Sequence, residues 1–212
     1  MKLALIGFGD LGHYIKEMLT DFNDVDETNI VYFDDYLADQ NIANAKPFSK
    51  YPDNLYHDFD FYVCLGYKHL EKKSEIISHL QSIGRRVPNF IHPSSYVHPS
   101  VKIGDGTFIY PGCSIDRNTV IGKGVWIANA DVIAHDCIIG DCNWFGASVT
   151  LSGKVSVGAN TFIGSGSVIS NDIEIGSNVI IGLGTVVTKN VENNKSVIGN
   201  PLRVLDKPLK LI

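Results

Sequence analysis

Within residues 101–190, a hydrophobic residue recurs at every sixth position from Ile103 to Val187. Cut into sixes, residues 101–190 read VKIGDG, TFIYPG, CSIDRN, TVIGKG, VWIANA, DVIAHD, CIIGDC, NWFGAS, VTLSGK, VSVGAN, TFIGSG, SVISND, IEIGSN, VIIGLG and TVVTKN, fifteen hexads without a slip. The third place is always Ile, Val, Leu or Phe, Gly, Ala or Ser dominates the fourth, and the first is mostly small or β-branched. A period of six is neither the helical period nor simple strand alternation. It predicts a parallel β-helix, in which each hexad makes one short strand and a corner. Three hexads close a triangular coil, so this stretch makes five coils. The third-place side chain should point inward and stack on its equivalent one coil on. Small fourth-place residues are expected to let the chain bend. Coils one strand spacing apart give a prism roughly 24 Å tall. The segment NFIHPSSYVHPS at 89–100 already fits this frame, with Ile91 and Val97 at third places. Its prolines discourage helix.

The first ninety residues follow different periods. Lys2 to Ile6 reads as a buried strand, and GFGDLG at 7–12 follows it at once. Leu11, Ile15, Met18 and Leu19 then share one helical face. Further strands are expected at Asn29 to Phe33, at Phe59 to Leu65 and at Arg85 to Ile91. Leu70, Ile76, Ile77, Leu80 and Ile83 stripe a second helix, which Gly84 suits as a cap. The stretch 36–58 reads as mostly loop, with a short strand near Lys46 to Phe48. This order predicts a small parallel α/β domain over 1–90, a Rossmann-like half, ahead of a β-helix domain over 91–212. The tail from Val204 to Ile212 is read either as a cover for the last coil or as a free end.

Gly7, Gly9 and Gly12 match the dinucleotide fingerprint in its required place after a strand and before a helix. Glycines let a backbone approach a pyrophosphate, and N–H groups at a helix start complement its charge. A complete dinucleotide fold needs two such halves, and about ninety residues hold one. We therefore favour a single nucleotide moiety, such as a nucleotide-sugar, over NAD. The plainer reading is that the glycines serve tight strand–helix packing. His13 sits beside this loop, either near a phosphate or simply solvated.

Net charge is −5 with no basic run, which argues against nucleic acid as a partner. No apolar stretch reaches transmembrane length and no leader pattern opens the chain, so a soluble cytoplasmic protein is expected, with no membrane partner. Cys64, Cys113, Cys137 and Cys142 lack zinc-site spacing and read as reduced packing residues.

Between 101 and 190 there is one histidine, His135, at the fifth place of its hexad, with Asp136 next to it at the sixth. An aspartate beside an imidazole fixes its tautomer and raises its basicity. His135 can then take a proton from an attacking amine or hydroxyl. A structural corner histidine is the alternative. A single histidine also argues against a three-histidine zinc site, so no metal is expected.

The chain resembles the bacterial hexapeptide-repeat sugar acyltransferases that include sialic acid O-acetyltransferase and the N-acetyltransferase of UDP-bacillosamine synthesis. The residues that carry this resemblance are GFGDLG at 7–12, FDD at 33–35, CLG at 64–66, IHPS at 91–94, AHDCIIGD at 134–141, SGKVSVG at 152–158 and IGNP at 198–201. The resemblance implies a left-handed β-helix and a homotrimer with active sites between neighbouring prisms. It implies acetyl-CoA as donor, lying against Trp144, Gly153, Ser165 and Leu183. His135 would be the general base and Asp136 its support. The nucleotide-sugar would rest on Gly9, Asp10 and Leu11, on Asp34 and Asp35, and near Gly66. Where relatives often carry a histidine in the glycine loop, this chain has Leu11. Where some N-acetyltransferases carry a second histidine nine residues after the base, it has Trp144.

Direct N-acetylation of a UDP- or dTDP-linked 4-amino-4,6-dideoxy sugar, in surface glycan synthesis, is the leading expectation. O-acetylation of a sialic-acid-like sugar follows it. A non-catalytic nucleotide-sugar-binding trimer and an NAD-dependent oxidoreductase are the readings from other classes.

Overall fold

A computed structural model of the chain describes residues 1–22 and 25–210. Two compact units divide it, Met1–Pro88 and the chain from Asn89 onward.

The first unit is built on four parallel strands, β1 (Leu3–Ile6), β2 (Ile30–Phe33), β3 (Ala45–Lys46) and β4 (Asp60–Val63), in the order β3-β2-β1-β4. β1 is buried along its whole length, as expected for a central parallel strand covered on both faces. Helix α1 (Asp10–Phe22) buries Gly12, Ile15, Met18 and Leu19, while Leu11 stays half-buried. The next helices are α2 (Asp35–Asp39) and α3 (Leu70–Ser82). α3 buries Leu70, Ile76, Ile77 and Leu80, and Gly84 follows it with a φ of 72°.

Two readings of this unit are corrected. The stretch 36–58 holds more structure than a loop: most of α2, then β3 and two 3-10 turns. α2 forms because the Asp34 side chain accepts the Leu37 N–H and caps it. Arg85 to Ile91 is not a strand of the first sheet. Arg86 makes one isolated bridge to Asp60, Pro88 lacks a ladder donor, and Phe90–Ile91 pairs with Phe108–Ile109 in the second unit.

The second unit is the expected parallel β-solenoid. Its strands are residue pairs at the second and third places of each hexad. They stack in three sheets, with partners eighteen residues apart: Trp126 stands opposite Phe108 and Trp144, Val132 opposite Ser114 and Thr150, Val120 opposite Lys102 and Ile138. The third-place side chains from Ile109 to Val187 are all buried and form one apolar column, with Phe145, Leu151 and Ile163 fully enclosed. Pairing begins at Phe90 and Tyr96, so the coils start within the 89–100 segment. At the far end, Ser196–Ile198 pairs with Ile180–Ile181, and Arg203–Val204 runs antiparallel to it along the sheet edge. Leu202 packs on the core, and the Leu209 N–H donates to Ser196 Oγ at 3.0 Å. The described part of the tail thus lies on the last coil; residues 211 and 212 of that reading fall outside the described residues.

The corners are made differently from the expectation. Sixth-place residues, not fourth-place ones, take the left-handed conformation, with φ between 51° and 73° from Gly106 to Gly184. Asn, Asp and Gly tolerate it best, and Lys154 and Cys142 adopt it under the constraint of the coil. Fourth-place glycines serve close coil-to-coil approach instead. A Cβ on Gly104 would lie 2.6 Å from the Gly122 carbonyl carbon, and one on Gly140 would lie 2.9 Å from the Ala159 nitrogen.

First-place side chains form a second ladder. The Thr107, Thr119, Thr161 and Ser167 hydroxyls donate to the carbonyl fifteen residues on, and each accepts the N–H eighteen residues on. Cys113 and Cys137 donate their thiols to Ala128 and Ser152 in the same way. Burial pushes both thiols up, and Cys64 up to about 12, so none of these three is poised as a thiolate. Asn143 satisfies the same pattern with its amide.

Asp131 departs from it. This carboxyl is fully buried, and its Oδ1 accepts the Val149 N–H at 2.7 Å. Its Oδ2 is buried and has no hydrogen-bond partner among the described residues. Burial pushes the carboxyl up to about 8, which favours the neutral acid. The folded value lies above the unfolded one, so the contribution to stability is full below about pH 4 and is lost as pH rises through the folded value. Asp131→Asn, which copies Asn143, is expected to raise the melting temperature at about pH 9 more than at about pH 5. Equal changes at the two pH values in thermal denaturation would contradict this.

Candidate active site

His135 stands at the corner between the strand pairs Val132–Ile133 and Ile138–Ile139. The left-handed turn at Asp136, with φ 59°, folds its side chain back onto the preceding residue. Asp136 Oδ2 lies 2.7 Å from His135 Nδ1, and both side chains are a little over one third exposed. This contact leaves Nε2 as the nitrogen available to a substrate. The other carboxylate oxygen, Oδ1, accepts from Asn118 Nδ2 at 3.0 Å. Hydrogen bonds from Asn118 and His135, and the nearby charges of His135 and Arg117, hold the Asp136 carboxyl below the usual carboxylate range.

Gly153 occupies the equivalent corner one coil on. A Cβ there would lie 2.8 Å from both Cε1 and Nε2 of His135. The ring therefore rests against bare backbone, and Gly153 is the floor of the dyad in addition to any part it has in holding a coenzyme. Its N–H donates to Asn171 Oδ1 at 2.9 Å, while Lys154 N–H donates to the His135 carbonyl at 2.9 Å. Coil stacking alone brings Asn118, Asp136, His135 and Gly153 together.

The remaining expected coenzyme residues lie elsewhere on the coil. Trp144 is on the outer face of another sheet, stacked on Trp126 with ring centroids 4.6 Å apart and planes at 4°. Ser165 and Leu183 are exposed at the corner that follows that face. Within one chain, then, the His135–Gly153 corner and the Ser165–Leu183 corner are two different corners of the triangle.

In the first unit, the expected nucleotide residues gather at the carboxyl ends of the parallel strands, where open α/β sheets bind ligands. The Gly7 to Gly12 loop follows β1, Asp34 follows β2 and Gly66 follows β4. The three loop glycines do different work. A Cβ on Gly12 would lie 2.7 Å from the Gly7 carbonyl oxygen, and one on Gly7 would lie 2.9 Å from Leu65 Cδ2. Both serve tight packing. A Cβ on Gly9 would meet nothing within 4 Å, so the backbone there is open to an approaching group. Asp10 and Leu11 form the first turn of α1, and Leu11 Cδ2 reaches to 4.0 Å from a Cβ built on Gly66. His13 lies with its ring centroid 4.2 Å from that of Phe8. Asp34 is already engaged: Oδ2 accepts the Phe8 N–H at 2.9 Å and Oδ1 the Leu37 N–H at 3.1 Å. Asp35 Oδ1 accepts the Phe48 N–H at 2.8 Å. These acids shape the loop, and each keeps further lone pairs for a ligand.

Among the described residues, no three His, Cys, Asp or Glu side chains gather as ligands for a metal, and no helix is long and apolar enough to cross a membrane.

Known proteins resemble the chain in two ways. The family described as the GMPPB C-terminal domain matches residues 91–194. Among solved structures, the acetyltransferase domain of PglB from Neisseria gonorrhoeae FA1090, in complex with acetyl coenzyme A, is 26% identical with a TM-score of 0.80, over 96% of this chain and 98% of that one. PerB from Caulobacter crescentus, in complex with CoA and GDP-perosamine, is 25% identical with a TM-score of 0.82, over 97% of each chain. A histidine-to-asparagine variant of perosamine N-acetyltransferase from the same organism, in complex with the same two ligands, shares the fold at 24% identity and a TM-score of 0.84, over 98% of each chain. No curated protein sequence matches. One of these neighbours is thus an acetyltransferase domain holding acetyl coenzyme A and another holds CoA beside a nucleotide-sugar, in keeping with the kind of protein that the sequence resembles. The chain is an acyltransferase.

Gly153→Ala is expected to push the His135 ring out of place and to lower turnover at least about tenfold, because a displacement of about 1 Å at a reacting group costs on this order or more. Circular dichroism should show the solenoid intact. Unchanged kinetics in the variant would remove Gly153 as the floor of the dyad.

Proposed function

We propose that the protein transfers the acetyl group of acetyl-CoA to the amino group of a nucleotide-linked 4-amino-4,6-dideoxy sugar. The observation that carries this reading is the His135–Asp136 pair at 2.7 Å, with its ring half-open to solvent over Gly153, in a fold whose solved neighbours hold CoA and a nucleotide-sugar.

Residues 1–90 act as a Rossmann-like half that binds the nucleotide-sugar. Gly9, Asp10 and Leu11 take the phosphates on open backbone at the start of α1, with His13 at its edge. Asp34, Asp35 and Gly66 line the same strand ends. Residues 91–212 form the acyltransferase domain, and its coils wind left-handedly. Trp144, Gly153, Ser165 and Leu183 receive the coenzyme.

The reaction is direct. The neutral amine attacks the thioester carbonyl, a C–N bond forms and the C–S bond breaks. His135 Nε2 takes the proton lost by the amine, Nδ1–H is held by Asp136, and the proton then passes to the departing CoA thiolate. The raised thiols of Cys64, Cys113 and Cys137 argue against an acyl-enzyme on any of them.

Three copies complete the site. Ser165 and Leu183 stand at a different corner of one chain from His135 and Gly153, and exposed apolar side chains flank the His135 corner on both faces: Val120 and Ile138 on one, Val132 and Val168 on the other. Such surface favours a symmetric oligomer. The setting is the cytoplasm, in the synthesis of a surface glycan.

A thiol-release assay tests the reaction, with UDP-, dTDP- and GDP-linked 4-amino-4,6-dideoxy sugars offered beside sialic acid. Release with an amino sugar supports the reading, and release with sialic acid alone replaces it by O-transfer. His135→Ala is expected to lower kcat by about 10² to 10⁴, the contribution of a positioned base. Asp136→Asn should cost less. It should also move the acid limb of the pH profile to lower pH, because the imidazolium loses its neighbouring negative charge. Wild-type turnover in the alanine variant would exclude His135 as the base. Light scattering should give about three times the 23.3 kDa chain mass; a monomer would refute the shared site.

A further inference from the structure

We propose that Asn118 is a positioning residue for the acetyl transfer, holding Asp136 in the orientation that serves His135; this rests on the reading of His135 as the base. The geometry is a chain of three side chains. Asn118 Nδ2 donates to Asp136 Oδ1 at 3.0 Å, and Asp136 Oδ2 meets His135 Nδ1 at 2.7 Å. Each carboxylate oxygen thus has its own partner, which fixes the rotation of the group about its last bond. Asp136 is exposed enough that a carboxylate held only by the imidazole would exchange oxygens and turn toward water.

The fold brings these two side chains within reach. Asn118 and Asp136 are sixth-place residues eighteen positions apart, with φ of 60° and 59°, so their side chains leave equivalent corners of adjacent coils in the same direction. The backbone of Asn118 is itself tied down, since its N–H donates to Ser100 Oγ at 2.8 Å. Gly106, Gly112 and Gly124 fill this corner position elsewhere, so the conformation does not require an amide side chain.

The electrostatics agree. The Asn118 hydrogen bond is the largest influence holding the Asp136 carboxyl low, ahead of His135 and Arg117. Among other charged residues near it in the repeat, Lys154 holds the same corner place one coil on, and Asp116 Oδ1 accepts the Arg117 N–H at 2.6 Å.

Two variants separate positioning from folding. Asn118→Gly removes the donor and suits the left-handed corner. Asn118→Asp keeps the shape but replaces the donor by a second negative charge. Asn118→Gly should lower kcat about threefold to tenfold, the scale of one charge-assisted hydrogen bond at a partly exposed site. It should also move the acid limb of the kcat/KM profile to lower pH, because a loosened carboxylate stabilises the imidazolium less. Asn118→Asp should lower kcat too, but should move the limb to higher pH, because added negative charge favours the imidazolium. NMR titration of the His135 ring in the free protein should move in the same two directions. That readout needs no turnover, so it tests the contact even if the protein transfers no acetyl group. Opposite shifts in the two variants support the proposal. Unmoved titrations, or a change in KM alone, would overturn it.

Discussion

Hydrogen bonding from coil to coil at an interval of eighteen residues is the constraint on which the second unit rests. Each strand within the hexads is only two residues long, too short to hold a sheet by itself. Stability comes from repetition. Backbone ladders join each coil to the next, the third-place side chains fill the axis, and the first-place hydroxyls, thiols and amides tie neighbouring coils side chain to backbone. An array of this kind depends on nearest neighbours, and its ends need covers. The antiparallel Arg203–Val204 strand and Leu209 beyond it provide one.

The same interval builds the chemistry. No loop excursion or insertion is needed to gather Asn118, Asp136, His135 and Gly153. They occupy the fifth and sixth places of three successive coils, and the stacking brings them within contact. A rigid corner suits a general base, whose orientation must be set before the substrate arrives. In the first unit, positioning follows another rule: parallel strands end together, so the glycine loop, Asp34 and Gly66 meet at one edge of the sheet.

Most of the solenoid was legible in the hexads, because burial of the third place leaves a strict mark on residue type. Ile91 and Val97 even placed its beginning, within the segment where pairing starts. The corner conformation was not legible in the same way. Left-handed φ at Lys154, Cys142 and Ala130 is imposed by the coil and runs against their own preferences. Fourth-place glycines are explained by close approach between coils, a distance that one strand's sequence does not contain. Arg85 to Ile91 looked like one strand because its apolar residues belong to two units. Of the candidate site, His135 and Asp136 stood out by being adjacent. Asn118 and the floor under His135 did not, since both depend on neighbours eighteen residues away. Counting in eighteens from His135 and Asp136 reaches both. Asp34 read as a ligand acid, and its engagement by Phe8 and Leu37 depends on backbone geometry that residue type does not carry.

The central claim is that the His135 imidazole faces a thioester. A crystal structure of the protein with bound CoA tests this most directly. The account predicts the thiol sulfur beside His135 Nε2, with room for one amino group at roughly 3 Å from each. Coenzyme seated far from His135 of every copy in the assembly would contradict it.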